Sequence, residues 1–211
     1  MQHPLYDSFR DSHDGENNAH DRIGIKVVQT IEEWMQVTAI RSAVFMSEQN
    51  CPYAEEFDGN DFSSTHLIGY KGRDPVACVR LRFFADFAKL ERLAVLHHHR
   101  NPAISFKIVR AAIELISKKG YSVIYGHAQA RLVKFWSLFG FKVIENKPDF
   151  QFSDFSYKEI VNHIKPDPQA ISIDDDPHVI IRPEGSWHKV GILEESANRP
   201  VTNPLRNLKA A

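Results

Sequence analysis

Apolar and polar residues alternate at Ile23, Ile25 and Val27, a period of two that predicts a strand beginning near residue 23. Thr30 followed by Glu33 has the form of a capping box. Trp34, Val37, Ile40, Ala43 and Val44 continue from it at helical spacing. A polar stretch over 46–64 predicts a loop. Strands are predicted over about 65–71 and 75–84, joined by the turn residues Gly72, Arg73, Asp74 and Pro75, with a third over about 87–95. The longest helical pattern follows. Pro102 suits its first position, and Ile104, Ile108, Ala111, Ala112, Leu115 and Ile116 recur at three- and four-residue spacing. Lys107, Arg110, Glu114 and Lys118 take the other face, and Gly120 suits the residue just past the end. Beyond it the pattern predicts a strand over 122–126, a short helix over 132–139 closed by Gly140, a strand over 141–144 and a last strand over 150–160.

The flanks lack such periodicity. Residues 1–22 are polar and rich in Asp, His and Asn, whereas 162–211 hold six of the eleven prolines, the run Asp174, Asp175 and Asp176, and one apolar patch over 179–181. Three segments are therefore expected: a flexible arm over 1–22, a folded domain over 23–161, and an irregular Pro-rich extension over 162–211. The extension would pack on the domain or on a second subunit, as in a homodimer.

With 211 residues, 43% of them hydrophobic, the chain can bury one substantial core. Lys and Arg number 26 against 27 Asp and Glu, a formal charge of −1, so no global electrostatic force draws it to nucleic acid. Cys51 and Cys78 are too few for a disulfide framework and lack metal-ligand spacing, and the expected setting is reducing and cytoplasmic. No apolar run approaches the roughly 18–20 residues that a membrane span needs, so no membrane is expected as a partner. The run His97, His98 and His99 has side chains that diverge, with no carboxylate or thiol at ligand spacing, and no metal is expected.

The stretch over 90–119 carries the first chemical signal. A strand there runs through a short basic turn into an amphipathic helix, which aims the unpaired N–H groups and positive dipole end of the helix at an anion. The ligand implied is a nucleotide-like cofactor.

The motifs Leu90-Glu91-Arg92-Leu93-Ala94-Val95, Arg100-Asn101-Pro102-Ala103-Ile104-Ser105 and 128–141 (AQARLVKFWSLFGF), in this order of elements, resemble the GNAT superfamily of N-acetyltransferases. The resemblance covers about residues 23–160. The segment 41–53 (RSAVFMSEQNCPY), with Asp58 and Asp61 after it, is similar to the acceptor-side helix and loop of the ElaA-like branch. The resemblance implies a mixed α/β (α+β) fold, its central sheet mostly antiparallel and splayed between the fourth and fifth strands, with helices on both faces. Acyl-CoA would be wedged in the splay, the enzyme would use acetyl-CoA without a metal, and the acceptor would be a primary amine of a small molecule or peptide.

By the same resemblance, the backbone of Leu93, Ala94 and Val95 would pair with the pantetheine arm. Arg100, Asn101, Ala103, Ile104 and Ser105 would hold the pyrophosphate, and Gln129, Phe135 and Trp136 would complete the cofactor side. Ala103 and Ser105 stand where the family has glycines, both still small. Trp136 stands where a tyrosine protonates the departing thiolate, and an indole N–H has no usable acidity. A thiolate whose thiol pKa is about 8.5 still leaves tolerably without that acid, and Tyr125, His127 or water would substitute.

Glu91 lies on the strand that carries a general-base carboxylate in the family, and strand parity sets it on the same face as Leu93. An ammonium must lose a proton before it can attack a thioester, and Glu91 is the expected base. A salt bridge to Arg80, Arg82 or Arg92 is the alternative. Glu48, Asp58, Arg80 and His127 are the candidate acceptor-side residues, with Asp61 beside them. Cys51 lacks a base to activate it. Two other functions fit the same motifs: a noncatalytic acyl-CoA sensor, and a long-chain N-acyltransferase of the acyl-homoserine-lactone or N-acyl-amino-acid synthase type, suggested by Arg41, Val44 and Phe45.

Overall fold

In the computed structural model, which describes residues 22–100 and 102–200, the alternating segments become β1 (Ile23–Val27), β2 (Thr65–Lys71), β3 (Asp74–Phe83), β4 (Ala88–Val95), β5 (Val123–Gln129), β6 (Lys142–Val143), β7 (Phe150–Phe152) and β8 (Phe155–His163). They form a sheet in the order β1-β2-β3-β4-β5-β8-β6, with β7 paired to β8. Only β4 and β5 pair in parallel. That pairing lasts from Ala88↔Ile124 to Leu90↔Gly126 and then stops, while β4 continues with β3 and β5 with β8. The expected mixed sheet, splayed between its fourth and fifth strands, is present.

Helices α1 (Ile31–Arg41) and α3 (Pro102–Lys118) cover opposite faces of the sheet. Val37 and Ile40 of α1, with Val44, pack on Ile68, Tyr70, Cys78 and Ala94. Ile104 of α3 meets the other face at Gly69, where an added Cβ would come 3.1 Å from Ile104 Cδ1 and 3.0 Å from Ile25 Cδ1. Alternation of side chains along β2 separates the two layers. The capping box at Thr30 forms as expected, with Glu33 N donating to Thr30 Oγ1 at 3.2 Å. Gly120 ends α3 at φ +84, with its N–H on Ser117 O and that of Tyr121 on Ile116 O.

Three local expectations are corrected. The first helix stops as an α-helix at Arg41 and continues as a π-helix over Ser42–Glu48. The expected loop over 46–64 therefore begins inside a helix, and it also contains α2 (Tyr53–Glu56) and a 3-10 turn over Asp61–Ser63. The single strand expected over 150–160 is a hairpin, turned at Ser153 and Asp154 with φ +47 and +64. The short helix after β5 is a 3-10 turn over Ala130–Leu132 followed by α4 (Val133–Ser137).

The chain divides into two compact units between Ala170 and Ile171. Within 171–200 lie α5 (Pro177–Ile180), where Asp176 accepts from His178 N at 2.8 Å, and α6 (Ile192–Ala197), tied by Arg182 Nη2 to Glu194 Oε1 at 2.5 Å. Apart from Arg22, the arm expected over 1–22 lies outside the described residues.

Candidate active site

The splay of the sheet opens a cavity of about 560 Å³, and a defect in β4 shapes its wall. Arg80 faces Glu91 and Cys78 faces Ala94, so the intervening residue of β3 is opposed by both Arg92 and Leu93. Arg92 takes φ +53 to accommodate the extra residue. Lys89, Leu90, Glu91, Arg92 and Leu93 line the cavity as five consecutive residues.

Beneath this wall lies a buried ionic network. Arg41, fully buried at the end of α1, donates from Nε to Glu56 and from Nη1 to Asp61 Oδ1 at 2.6 Å. Arg80, 1% exposed, donates to Asp61 and Asp58 Oδ1 at 2.8 Å each, to Asp58 Oδ2 at 2.6 Å, and from Nε to Glu91 Oε1 at 2.9 Å. Lys89 Nζ lies 2.8 Å from Glu91 Oε2, and Arg92 Nε lies 3.1 Å from Glu56 Oε2. Four cations and four carboxylates are thus interleaved, which is how groups this buried avoid the cost of isolated charge. Burial pushes the Glu91 carboxyl up, but Arg80, Lys89 and Arg92 outweigh it and hold the group below the usual range. Asp61 is lowered in the same way, against burial, by Arg41 and Arg80. At Glu56 burial prevails over Arg41 and Arg92, and its pKa is raised.

On the far side of the cavity stand residues of β5, α4 and the β7–β8 hairpin. His127 Nε2 lies 2.8 Å from Tyr125 Oη, which donates to Glu159 Oε2 at 2.6 Å. Gln129 Nε2 donates to Gln49 Oε1 and to Tyr157 Oη at 3.2 Å each, while its Oε1 accepts from Arg131 Nε at 2.9 Å. Trp136 is buried edge-on to Phe135 and Phe141, with ring centroids 5.4 and 5.3 Å apart. Among the described residues no group of three or more His, Cys, Asp or Glu is arranged to hold a metal ion. None of the described helices is long and apolar enough to cross a membrane.

A profile of the acetyltransferase (GNAT) family matches residues 28–141, more than half of the chain. The chain belongs to this family. YjcF of Bacillus subtilis (strain 168), described as an uncharacterized N-acetyltransferase, is 31% identical over 121 residues, covering 57% of this chain and 86% of YjcF. The crystal structure of Escherichia coli ElaA superposes with a TM-score of 0.61 at 22% identity, over 67% of this chain and all of ElaA. Arabidopsis thaliana Naa50, solved with the bisubstrate analogue CoA-Ac-MVNAL, superposes with a TM-score of 0.56 at 16% identity, over 67% of this chain and 99% of Naa50.

Against this GNAT fold the expected site residues fall into two groups. Glu91, Leu93, Asp58, His127, Gln129, Phe135 and Trp136 come together around the cavity. Arg80 does not line it but sits below, its donors taken by three carboxylates. Glu48 is paired with Arg100, whose Nε also donates to Val95 O at 3.1 Å. The Ala94 side chain belongs to the core under α1, and that of Ile104 to the core under α3, so neither side chain faces the cavity. Val95 is likewise buried; Ala103 and Ser105 occupy the first turn of α3, and Asn101 lies outside the described residues.

Several cavity residues escape a reading of the sequence: Glu55, Lys89, Arg92, Phe152, Ser153 and Tyr157. The aromatic alternation Phe150, Phe152, Phe155, Tyr157 was the available signal for the hairpin. Its turn, Ser153-Asp154, carries no glycine to mark two left-handed residues.

Proposed function

We propose that this protein transfers an acetyl group from acetyl-CoA to the primary amine of a cationic small molecule or peptide. The observation that carries the reading is the parting of β4 from β5 after Leu90↔Gly126, which leaves the bulged edge of β4 facing a cavity large enough for the reacting ends of two substrates. A strand edge of this kind offers unpaired backbone groups to an extended ligand. Backbone of Leu93, Ala94 and Val95 would receive the pantetheine arm. Arg100, Ala103, Ser105 and the backbone of Ile104, with Asn101, would take the pyrophosphate at the start of α3. Gln129, Phe135 and Trp136 would close the opposite side. That Naa50, of the same fold, was solved with the bisubstrate analogue CoA-Ac-MVNAL supports a CoA-linked acyl donor for this reading.

The acceptor reading rests on charge. Four carboxylates line the cavity, those of Glu55, Glu56, Asp58 and Glu91. Three of them are paired with Arg or Lys, whereas among the described residues Glu55 accepts only the Ser153 hydroxyl, at 2.7 Å. Beside it stand Phe150 and Phe152, aromatic faces suited to a cation. Glu91 has both oxygens taken by Arg80 and Lys89, which leaves Glu55 as the carboxylate of the cavity without a cationic partner among the described residues. The family's tyrosine being Trp136, the thiolate would leave unassisted by that residue.

Isothermal titration of the full chain with acetyl-CoA, followed by thiol release across a panel of primary amines, tests the proposal. Binding at micromolar to millimolar acetyl-CoA with amine-dependent release is expected. Absence of binding at millimolar ligand refutes it, and tight binding with no turnover would favour an acyl-CoA sensor.

A further inference from the structure

We propose that His127 takes the proton from the attacking amine, and that Tyr125 and Glu159 position its ring; the inference rests on the acyl-transfer reading above. A phenol has one proton. Tyr125 Oη donates it to Glu159 Oε2 at 2.6 Å, so toward His127 Nε2, 2.8 Å away, the same oxygen can only accept. Nε2 must therefore carry the imidazole proton, and Nδ1 is left with its lone pair. Nδ1 makes no hydrogen bond among the described residues and is not one of their buried unpartnered atoms. The half-buried ring lines the cavity, and its Nδ1 is not sealed from solvent. Edge-to-face contacts with Tyr125 and Phe150, centroids 5.1 and 4.8 Å apart, fix the ring plane.

Its place on the sheet suits the role. Gly126 is the last residue of β5 paired to β4, so His127 is the first side chain past the parting and stands across the splay from the β4 bulge. The rival base is committed elsewhere, since both oxygens of Glu91 are already engaged by Arg80 and Lys89. The charged groups around His127 are Lys89 and Glu91 on β4 and Glu159 on β8, the last with Lys147 Nζ 3.8 Å from its Oε1. Burial and Lys89 push the imidazole down, Glu159 and Glu91 oppose them, and the balance leaves it below the usual histidine value, hence neutral at neutral pH. A neutral imidazole offers its lone pair at the working pH, whereas a carboxylate held low by cations on both oxygens is the weaker base.

In the step itself, an ammonium first loses one proton to solvent. The amine nitrogen then bonds to the acyl carbon while an N–H proton passes to Nδ1. The C–S bond breaks, its electron pair leaves on sulfur, and the thiolate is protonated from water. The imidazolium so formed, charged at both nitrogens, keeps its Nε2–H on Tyr125, with Glu159 behind it to offset the charge, and returns its proton to solvent.

Two measurements on the full chain decide the matter. Nitrogen-15 NMR of histidine-labelled protein, which needs no acceptor, is expected to show His127 as the Nε2–H tautomer titrating below 6.5, with Y125F and E159Q both shifting that titration. H127Q is expected to lose about 100-fold or more in amine-dependent thiol release, with acetyl-CoA affinity unchanged and the rising limb of the pH–rate profile gone. An Nδ1–H tautomer, or H127Q activity within roughly threefold of the parent, overturns the assignment alone. Failure of the parent on every amine overturns the transfer reading with it.

Discussion

Arg80 and Glu91 face each other across β3 and β4, with Nε 2.9 Å from Oε1, and the same guanidinium reaches Asp58 and Asp61. R80M takes one cation from three carboxylates at once and leaves each with a single partner, Asp61 with Arg41, Glu91 with Lys89 and Asp58 with Arg92. It is expected to lower the unfolding free energy by about 3–5 kcal/mol, the usual cost of breaking a buried ionic group on one side. E91Q leaves Arg80 its two aspartates and should destabilise less. Urea unfolding of both variants checks the order, and an R80M protein as stable as its parent contradicts it.

His66 gives the fold a pH limb of its own. It is buried, with Nε2 3.1 Å from Asp61 O, and burial outweighs Asp61 to bring its pKa from 6.5 down to about 4. Between these values the unfolded chain binds a proton that the folded chain refuses, so stability falls as pH drops from about 6.5 to 4, by about 3 kcal/mol for this residue. The decline should flatten in H66Q. Asp58, Asp61 and Glu91 are lowered in the fold, so their contribution is present above about pH 4 and is lost only on further acidification. Urea midpoints taken from pH 7.5 to 4.5 in the parent and in H66Q measure the first effect.

Glu55 is expected to read the charge of the acceptor. E55Q should raise KM for doubly charged amines by about three- to tenfold while leaving neutral-tailed amines near parent values, since a half-exposed charge pair is worth up to ~1 kcal/mol. Equal losses for both amine classes would show that the residue only shapes the hairpin through Ser153.

Trp136 to Tyr places a hydroxyl where the resemblance puts the family's acid. W136Y is expected to raise kcat about tenfold, with acetyl-CoA affinity little changed. A fall in kcat accompanied by weaker binding would mean that the indole serves as cavity wall.

The order of strands and helices was legible because each carries its own period, and α3 was bounded at both ends by Pro102 and Gly120. Glu91, Gln129 and Trp136 were found through motifs that lie on single elements. Other features depend on what meets across the sheet. The bulge at Arg92 breaks the strand parity without a glycine to announce it. Arg41, 15 residues from Glu56 and 20 from Asp61, reads locally as the basic end of an amphipathic helix; only the folded chain shows it as the bottom of an ionic network.

The π-helix over Ser42–Glu48 has a consequence for divergence among relatives. Its widened turn sets Glu48 toward Arg100 on one side, while Gln49, just past its end, meets Gln129 on the other. A wide turn absorbs an extra residue, so loss of one codon in this segment would restore ordinary helical winding and leave Glu48 and Gln49 close to their present directions. Relatives can therefore differ by one residue here in a single mutational event and still join the turn before α3 to the cavity through these two contacts.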